Sequence, residues 1–253
     1  MLKANKEYQE KSKTVFNEAE VLSKDWKTPS NWSYIFYKTY PRLKQIPLKP
    51  SSSDFKSLGV CLRLRTSRRR YMNKHLSYRM LSDILYFSAG IKNAGKIHGK
   101  ELHDPKKAKR FYPSGGARYP IEIYVIASNV QWLERGLYHY NVLDNTLEQL
   151  IENDLRGFVK SSLNGRSIAK AGALIILTGV LSRQEVKYGN MALRLALIES
   201  GHITQNMSLL TANYDIGSCA VSGFDSDEIS KLIDLDTGEE IPLYAFTVGQ
   251  PNE

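Results

Sequence analysis

A serine and two glycines stand between two prolines in the stretch Pro113-Ser114-Gly115-Gly116-Ala117-Arg118-Tyr119-Pro120, directly before the apolar run 121–127. Gly115 and Gly116 lack a Cβ, so a flat ligand can lie against the main chain there. The Ser114 hydroxyl and the N–H groups that follow it can hydrogen-bond such a ligand. An ordinary turn that leads into a strand has the same composition, so the stretch by itself leaves both interpretations open.

Arg65, Ser67 and Arg69 alternate along the chain with Arg68 and Arg70. In an extended segment, positions i, i+2 and i+4 lie on one side. Two guanidinium groups and a hydroxyl on one side would form a phosphate clamp, because arginine offers a rigid fork of donors. The alternative is a solvated basic run.

Lys187 and Tyr188 precede Gly189. Neighbours in an α-helix project about 100° apart, whereas in a turn, which Gly189 favours, both side chains can reach one site. An ammonium group beside the phenol would lower the pKa of Tyr188, and burial would lower the pKa of Lys187, so either group can act as a general base near neutral pH. Two surface residues before a helix are the alternative.

A third polar group, Glu199-Ser200-Gly201-His202, interrupts an otherwise apolar helical pattern. Gly201 permits close packing of helices at a cost of about 1 kcal/mol relative to alanine. We interpret His202 as a satisfied core or interface histidine rather than as a catalyst.

The composition of the 253-residue chain, 42% of it apolar, is sufficient for a substantial core. No apolar run approaches the roughly 18 residues of a membrane span and the charged N-terminus lacks a secretory apolar core, so we expect a cytoplasmic protein with no membrane partner. Cys61 and Cys219 have no second cysteine or histidine at ligand spacing, which predicts neither a disulfide framework nor a metal site. The net charge of +9 favours anionic partners, but without a nucleic-acid-binding motif we expect no nucleic acid among them.

The periodicities predict helices and strands in an order that is typical of an α+β domain with a mixed sheet. We divide the chain into residues 1–54, an N-terminal helix followed by an irregular aromatic and proline-rich arm, and a domain over residues 55–253. The domain's predicted elements are helices at 55–64, 77–90, 152–163, 190–213 and 226–233, strands at 121–127, 171–179, 217–224 and 241–248, and a hairpin of 137–140 and 147–150 about Asp144-Asn145. The chain has no GxGxxG after a strand and no GxxxxGK[ST], which excludes Rossmann and P-loop sites.

The sequence Arg-Thr-Ser-Arg-Arg-Arg-Tyr at 65–71 resembles the Arg-x-Ser-x-Arg/Lys-x-aromatic opening of the FMN-dependent nitroreductase superfamily. An ordered set of further motifs resembles one branch, the SagB-type dehydrogenases: Pro-Ser-Gly-Gly-Ala-Arg-Tyr-Pro, Gly-Leu-Tyr-His-Tyr, Lys-Tyr-Gly, Glu-Ser-Gly-His-Ile-Thr-Gln-Asn, Gly-Ser-Cys-Ala-Val-Ser-Gly-Phe-Asp and Pro-Leu-Tyr-Ala-Phe-Thr-Val-Gly. Together the motifs cover about residues 58–250. The resemblance implies a nitroreductase-like fold, a mixed and mainly antiparallel sheet flanked by helices, with FMN at a homodimer interface.

The resemblance also implies roles for individual residues. FMN phosphate and ribityl oxygens would be held by Arg65, Ser67 and Arg69. The flavin ring would be covered by Pro113, Ser114, Gly115 and Gly116 of the partner subunit, and its N5 edge faced by the main chain of Ala220, Val221, Ser222 and Gly223. Lys187 and Tyr188 match the catalytic pair of the branch. Gln250 departs from the pattern, because relatives often carry a basic residue there near the phosphate.

Enzymes of this branch oxidise thiazolines and oxazolines in ribosomal peptides to thiazoles and oxazoles, so the resemblance implies an FMN-dependent azoline dehydrogenase. The substrate would be a peptide already cyclised by a cyclodehydratase, which implies a complex with that enzyme. An NAD(P)H-dependent nitro or quinone reductase would share the flavin residues but would not need the Lys187–Tyr188 pair. A flavin-binding scaffold that presents peptides to other enzymes is a third interpretation, with which the aromatic arm and the basic surface are compatible.

Overall fold

The computed structural model describes residues 35–51, 55–92, 96–97, 100–101, 108–163 and 167–252, together with the helical residues Asn5, Glu7, Tyr8 and Glu10. Most of the helix and aromatic arm that we expect before residue 54, including Trp26, Trp32 and the capping pair Ser53-Asp54, lies outside the described residues. The division at residue 54 therefore stays a prediction.

Seven strands form one sheet in the order β1-β6-β5-β4-β7-β9-β8, and every neighbouring pair in it is antiparallel. The strands are β1 (Gln45–Pro47), β4 (Ile121–Ala127), β5 (Gly136–Asn141), β6 (Thr146–Glu152), β7 (Ala173–Val180), β8 (Gly217–Val221) and β9 (Glu240–Gly249). Two short strands, β2 (Lys96–Ile97) and β3 (Lys100–Glu101), pair separately. The predicted hairpin is confirmed, and its turn includes Asn145 at a φ of +54°.

Six helices of at least seven residues are described within residues 55–252: α1 (Leu58–Leu64), α2 (Tyr78–Ala89), α3 (Arg156–Ser162), α4 (Ser182–Tyr188), α5 (Ala192–Asn213) and α6 (Ser226–Ile233). Asp225 caps α6 as predicted, because its side chain accepts a hydrogen bond from the Glu228 N–H. Ser77 occupies the N-cap position of α2 without a side-chain hydrogen bond, and Gly90 ends that helix. Helix α4 was not predicted.

Strand β4 shows how the sheet separates two cores. Ile121, Ile123 and Val125 contribute to the core that also contains apolar side chains of α2 and α5. The intervening residues Tyr124 and Ile126 contribute to the other core, against α3 and α6. Because successive side chains of a strand point to opposite faces, a strand that is buried along its whole length must be covered on both sides, which confirms the expected α+β architecture.

The arm includes a strand where we predicted irregular structure. Gln45–Pro47 pairs antiparallel with Thr146–Glu148 at the edge of the sheet. Pro47 suits this position because an edge strand can omit one N–H donor. Ahead of this strand, the ammonium group of Lys38 donates to Glu240 Oε2 (2.6 Å) and to the Tyr124 hydroxyl (2.7 Å), which fastens the arm to the sheet.

Candidate active site

The segment Ser114–Gly116 forms a strained turn just before β4. A short 3₁₀ turn spans Gly115–Ala117. The backbone angle φ is +59° at Gly116, +54° at Ala117 and +47° at Tyr119. Because only glycine adopts this left-handed region easily, Ala117 and Tyr119 store backbone strain that their surroundings must hold.

The carboxyl group of Glu199, in the first half of α5, holds this turn. Its Oε1 accepts hydrogen bonds from the Ser114 hydroxyl (2.9 Å), the Gly115 N–H (3.0 Å) and the Gln184 side-chain amide (2.6 Å). The Ser114 Oγ in turn accepts a bond from the Tyr119 N–H (2.9 Å). One carboxyl group therefore connects the turn with helices α4 and α5.

Glu199 is only 2% exposed. Burial raises its pKa to about 7, although the hydrogen bonds from Ser114, Gly115 and Gln184 act in the opposite direction. Its second oxygen, Oε2, is also buried and has no hydrogen-bond partner within the described part of the chain. The sequence analysis included Glu199 in a polar group and gave it no role. The feature that could have identified it is an acidic residue at a position that the helical pattern predicts to be buried.

Lys187 and Tyr188 lie in the last turn of α4, and Gly189 ends the helix at a φ of +50°. Both side chains nevertheless reach the same place. A Cβ added to Gly116 would lie 2.7 Å from the Tyr188 hydroxyl and 3.0 Å from the Lys187 Nζ. Our expectation that the pair needs a turn to converge was wrong, because two long side chains at a helix end can bend toward one target.

The pKa of Tyr188 also differs from our expectation. Burial raises it, the charge of Glu199 raises it further, and the guanidinium of Arg118 opposes both effects. The Lys187 Nζ lies 5.5 Å from the centroid of the Tyr188 ring, a cation–π position. Arg118, not Lys187, is therefore the cation that lowers the pKa of this phenol.

A network of buried charges supports the same turn from the side of β4. The Arg118 Nε donates to the main-chain oxygen of Arg183 (2.7 Å), and Arg183 donates to the oxygen of Tyr119 (3.1 Å). Arg183 also pairs with Glu122 at 2.5 Å, and His139 lies 3.0 Å from the same carboxylate. Burial alone would raise the pKa of Glu122, but these two partners lower it to about 2. Arg118, Tyr119 and His139 lie in motifs quoted above, but the sequence assigned none of these residues a role in the network, because their partners are remote along the chain.

A second group of predicted residues surrounds a different cavity, of about 460 Å³. Its lining includes Arg69, Cys219 and the segment Ala220–Gly223, where Ser222 and Gly223 are exposed. The described residues that line it do not include Pro113–Gly116. Within one copy of the chain the predicted cofactor residues thus do not meet at one place, and we call Pro113–Gly116 and the cavity of Arg69 and Ala220–Gly223 the two half-sites.

Arg65 and Ser67 do not join Arg69 at that cavity. Arg65 is the C-cap of α1 and lines a smaller cavity with Thr66 and Arg68, while Ser67 is exposed and lines neither. Arg65 has already left the helix, with a φ of −57° and a ψ of 117°, so the one-sided clamp of Arg65, Ser67 and Arg69 stays a prediction.

The C-terminal residues run beside the arginine-rich segment. The Met72 N–H donates to the oxygen of Gln250 (2.9 Å), and the Asn252 N–H donates to the oxygen of Arg70 (2.9 Å). On the other side, the Arg68 N–H donates to the oxygen of Ser218 in β8 (2.8 Å). The arginines are thus held between β8 and the chain end, where Gln250 is the departure noted above.

Four other sequence interpretations can be compared with the described residues. His202 is exposed in the single chain, so it is not a core histidine. Cys61 and Cys219 are buried free thiols. Among the described residues no three histidine, cysteine or acidic side chains converge as metal ligands would, and no described helix combines the length and apolarity needed to cross a membrane.

Known proteins resemble this chain along most of its length. A Methanocaldococcus jannaschii protein that bears the name of a nitroreductase, MJ1384, is 27% identical over 205 residues, which cover 81% of this chain and 96% of the relative. The microcin B17-processing protein McbC of Escherichia coli is 28% identical over 156 residues, 59% of this chain. This match spans 57% of McbC, so only a part of that relative is represented.

The solved E. coli microcin synthetase complex McbBCD, with truncated pro-MccB17 bound, contains a chain of the same fold. The TM-score is 0.64 at 20% sequence identity, and the alignment covers 99% of this chain and 92% of that one. The family model for the nitroreductase family matches residues 62–250, which include both half-sites and the Lys187–Tyr188 pair. The chain therefore belongs to the nitroreductase family.

Proposed function

We propose that this protein is an FMN-dependent dehydrogenase that oxidises thiazolines and oxazolines in peptides to thiazoles and oxazoles. The observation that carries the proposal is the convergence of Lys187 and Tyr188 on Gly116, an exposed glycine against which a flat ring can lie. Members of the nitroreductase family typically bind FMN, and the relative McbC processes a microcin peptide. A proton-transfer pair beside a flavin site is what oxidation of a peptide ring requires.

Both half-sites fit a flavin nucleotide. A side chain at Gly116 would contact Tyr188 and Lys187 too closely, so the position suits glycine. Because glycine has no side chain, the main chain there stays accessible to a ligand. The other cavity offers Arg69 at the edge of a main-chain surface that ends in Gly223, which suits an anionic group attached to a flat ring. Arg65, Ser67 and Arg69 would hold the phosphate and ribityl oxygens, Pro113–Gly116 the ring face and Ala220–Gly223 the N5 edge.

A homodimer would bring the two half-sites together. Leu58 and Leu62 of α1 are 64% and 54% exposed, and Ile198 of α5 is 49% exposed. Helices α1 and α5 pack against each other. Large apolar side chains on neighbouring helices favour burial against another protein surface, and a second copy would let one protomer contribute its Ser114–Gly116 turn to the other's Arg69 cavity.

An azoline ring loses two hydrogens when it becomes an azole, one as a proton and the other as a hydride. FMN, when bound, supplies the acceptor for the hydride. The phenolate of Tyr188 would accept the proton from the adjacent ring carbon, with the cation of Arg118 stabilising the phenolate and the Lys187 ammonium lying over the Tyr188 ring. Because the ring gains aromaticity, the main task of the protein is to orient it, and the rigid Ser114–Gly116 turn serves that purpose.

The peptide must already contain an azoline ring when it reaches the site. A cyclodehydratase forms such rings, so we expect this protein to act in a complex with one. The likeness to a chain of the McbBCD synthetase complex is compatible with such an assembly.

Substitution of the pair tests the proposal. The double variant Lys187→Ala/Tyr188→Ala should retain bound FMN and lose azole formation from a cyclised peptide, measured by mass spectrometry as the loss of two hydrogens per ring. Glu185→Gln, an exposed position on the same helix, is the matched control and should keep the activity. Full azole formation by the double variant would remove the assignment.

An NAD(P)H-dependent reductase is the second candidate, favoured by the match to 96% of the length of MJ1384. It would use both half-sites but would not depend on Lys187 and Tyr188. Reduction of the bound flavin by NADPH, with no loss of rate in the double variant, would support it.

A further inference from the structure

Glu199 places two oxygens of one carboxyl group in contrasting environments. Oε1 accepts three hydrogen bonds, while Oε2 is buried without a hydrogen-bond partner among the described residues. In the ionised form, a charged oxygen is kept from both water and donors, which is costly. In the neutral acid the proton can reside on Oε2 while Oε1 keeps its three donors.

The turn that Glu199 holds is itself under strain. Ala117 and Tyr119 have positive φ angles of +54° and +47°, and such residues persist only where several contacts fix them. Glu199 holds the residues just before them, through the Ser114 hydroxyl and the Gly115 N–H, and the Ser114 Oγ in turn accepts a hydrogen bond from the Tyr119 N–H. The turn is therefore a local element that a change at one carboxyl group can release.

We propose that Glu199 is a positioning residue of this site: as the neutral acid it keeps the strained Ser114–Gly116 turn closed, and its ionisation releases the turn. The importance of the turn for a flavin rests on the proposed function. The response of the turn to the protonation of Glu199 is independent of that function. The residue acts through the turn and through Gln184 on helix α4, which carries Lys187 and Tyr188.

The direction follows from linkage between protonation and opening. In the closed turn the carboxyl group has a pKa of about 7, against an ordinary value of 4.5 for a glutamate in water. An open turn exposes Glu199 to water and restores the ordinary value. The closed state therefore binds the proton more tightly, and rising pH favours opening.

The neighbouring ionisable groups do not reproduce this behaviour. Arg110 faces Glu199 as a cation that lowers its pKa. Burial raises the pKa of Tyr112 and of Tyr188, so both phenols stay neutral near pH 7. The Lys187 Nζ lies 3.0 Å from the position that a Cβ on Gly116 would take, and the imidazole of His202, one turn along α5, is exposed. The experiment therefore needs a control variant that separates any effect of His202 on the pH dependence from the effect of Glu199.

Hydrogen exchange of the Gly115 amide measures the closed state directly, because this N–H donates to Glu199. In the wild-type protein without added flavin, the protection factor, corrected for the intrinsic exchange rate, should fall roughly 30-fold between about pH 5.5 and pH 8.5, the factor that the two pKa values give. Glu199→Gln, a neutral isostere, should remain protected throughout. His202→Gln should behave as the wild type.

A second variant keeps the test decisive if Glu199→Gln does not fold. Ser114→Ala removes one donor that favours the ionised carboxylate and so raises the pKa of Glu199 in the closed turn, which should extend the fall in protection to a higher pH than in the wild type. Constant protection in the wild type, or the same pH-dependent fall in Glu199→Gln, would overturn the proposal. A protein that shows the fall but binds no FMN would instead contradict the proposed function alone.

Discussion

Gly116 and Tyr188 approach so closely that a methyl group on Gly116 would lie 2.7 Å from the Tyr188 hydroxyl. The two residues are far apart in the sequence and belong to different elements, the turn before β4 and the end of α4. Their contact joins the glycine-rich stretch to the proton-transfer pair. The predictions below follow from that arrangement and from the charges around it.

Gly116→Ala should displace Tyr188 and Lys187 and lower thermal stability. The new Cβ would overlap the Tyr188 hydroxyl, and a backbone at φ +59° disfavours a side chain by about 1 kcal/mol. We expect loss of peptide oxidation and a lower Tm, measured by activity and by thermal unfolding. Gly157→Ala is the control, because its Cβ would meet nothing within 4 Å, and it should leave both quantities unchanged or raise the Tm slightly.

Arg183→Met should destabilise the fold by about 3–5 kcal/mol, because it leaves the buried carboxylate of Glu122 without its 2.5 Å partner. It also removes the hydrogen bond to the Tyr119 oxygen. Denaturant unfolding measures the change. Arg156→Met, which breaks an exposed ion pair with Asp154, should cost less than about 1 kcal/mol. Equal effects of the two substitutions would show that the buried network does not hold the turn.

The strands and long helices could be predicted because the hydrophobic pattern of each segment agrees with its burial in the folded chain. The apolar runs at 121–127 and 171–179 are buried on both faces as β4 and β7, and the pattern over 190–213 is the helix α5. What these predictions share is that each depends on one continuous segment.

The remaining features depend on contacts between distant segments. Strand β1 has only three residues and is defined by its pairing with β6. Helix α4 is short and carries several polar residues, so its pattern was not distinguishable from a turn. The role of Glu199 could not be predicted, since Ser114 and Gln184, which meet at its Oε1, are 85 and 15 residues away.

Arg69→Ala should weaken FMN binding by about 10- to 100-fold, the loss of one hydrogen bond to a charged group. Arg69 lines the cavity beside Ala220–Gly223. The affinity is measured by titration of flavin fluorescence. Arg70→Ala is the matched control, because we expect its side chain to point away from the phosphate, and its affinity should stay within about twofold of the wild type. If Arg70→Ala weakens binding as much as Arg69→Ala, the effect is one of general charge.

Formation of the Tyr188 phenolate, which we take as the active form, should make the rate of peptide oxidation rise with pH, and burial raises the pKa of this phenol. The opening of the Ser114–Gly116 turn as Glu199 ionises acts in the opposite direction, so the pH–rate profile is measured in the Glu199→Gln background, in which the turn stays closed. The guanidinium of Arg118 opposes the rise in the pKa of Tyr188. Arg118→Met should therefore move the midpoint of the pH–rate profile to higher pH, whereas Arg118→Lys, which keeps the charge, should move it less. A midpoint that Arg118→Met leaves unchanged would contradict the assignment of Tyr188 as the base.

The most direct measurement mixes the purified, FMN-loaded protein with an azoline-containing peptide in the absence of oxygen and follows the visible absorbance of the flavin. The account predicts that the peptide bleaches the flavin and is converted to the azole, that NADPH does not bleach it rapidly, and that the Lys187→Ala/Tyr188→Ala variant keeps its flavin colour with the peptide. Rapid bleaching by NADPH and none by the peptide would contradict the account and identify the protein as a reductase.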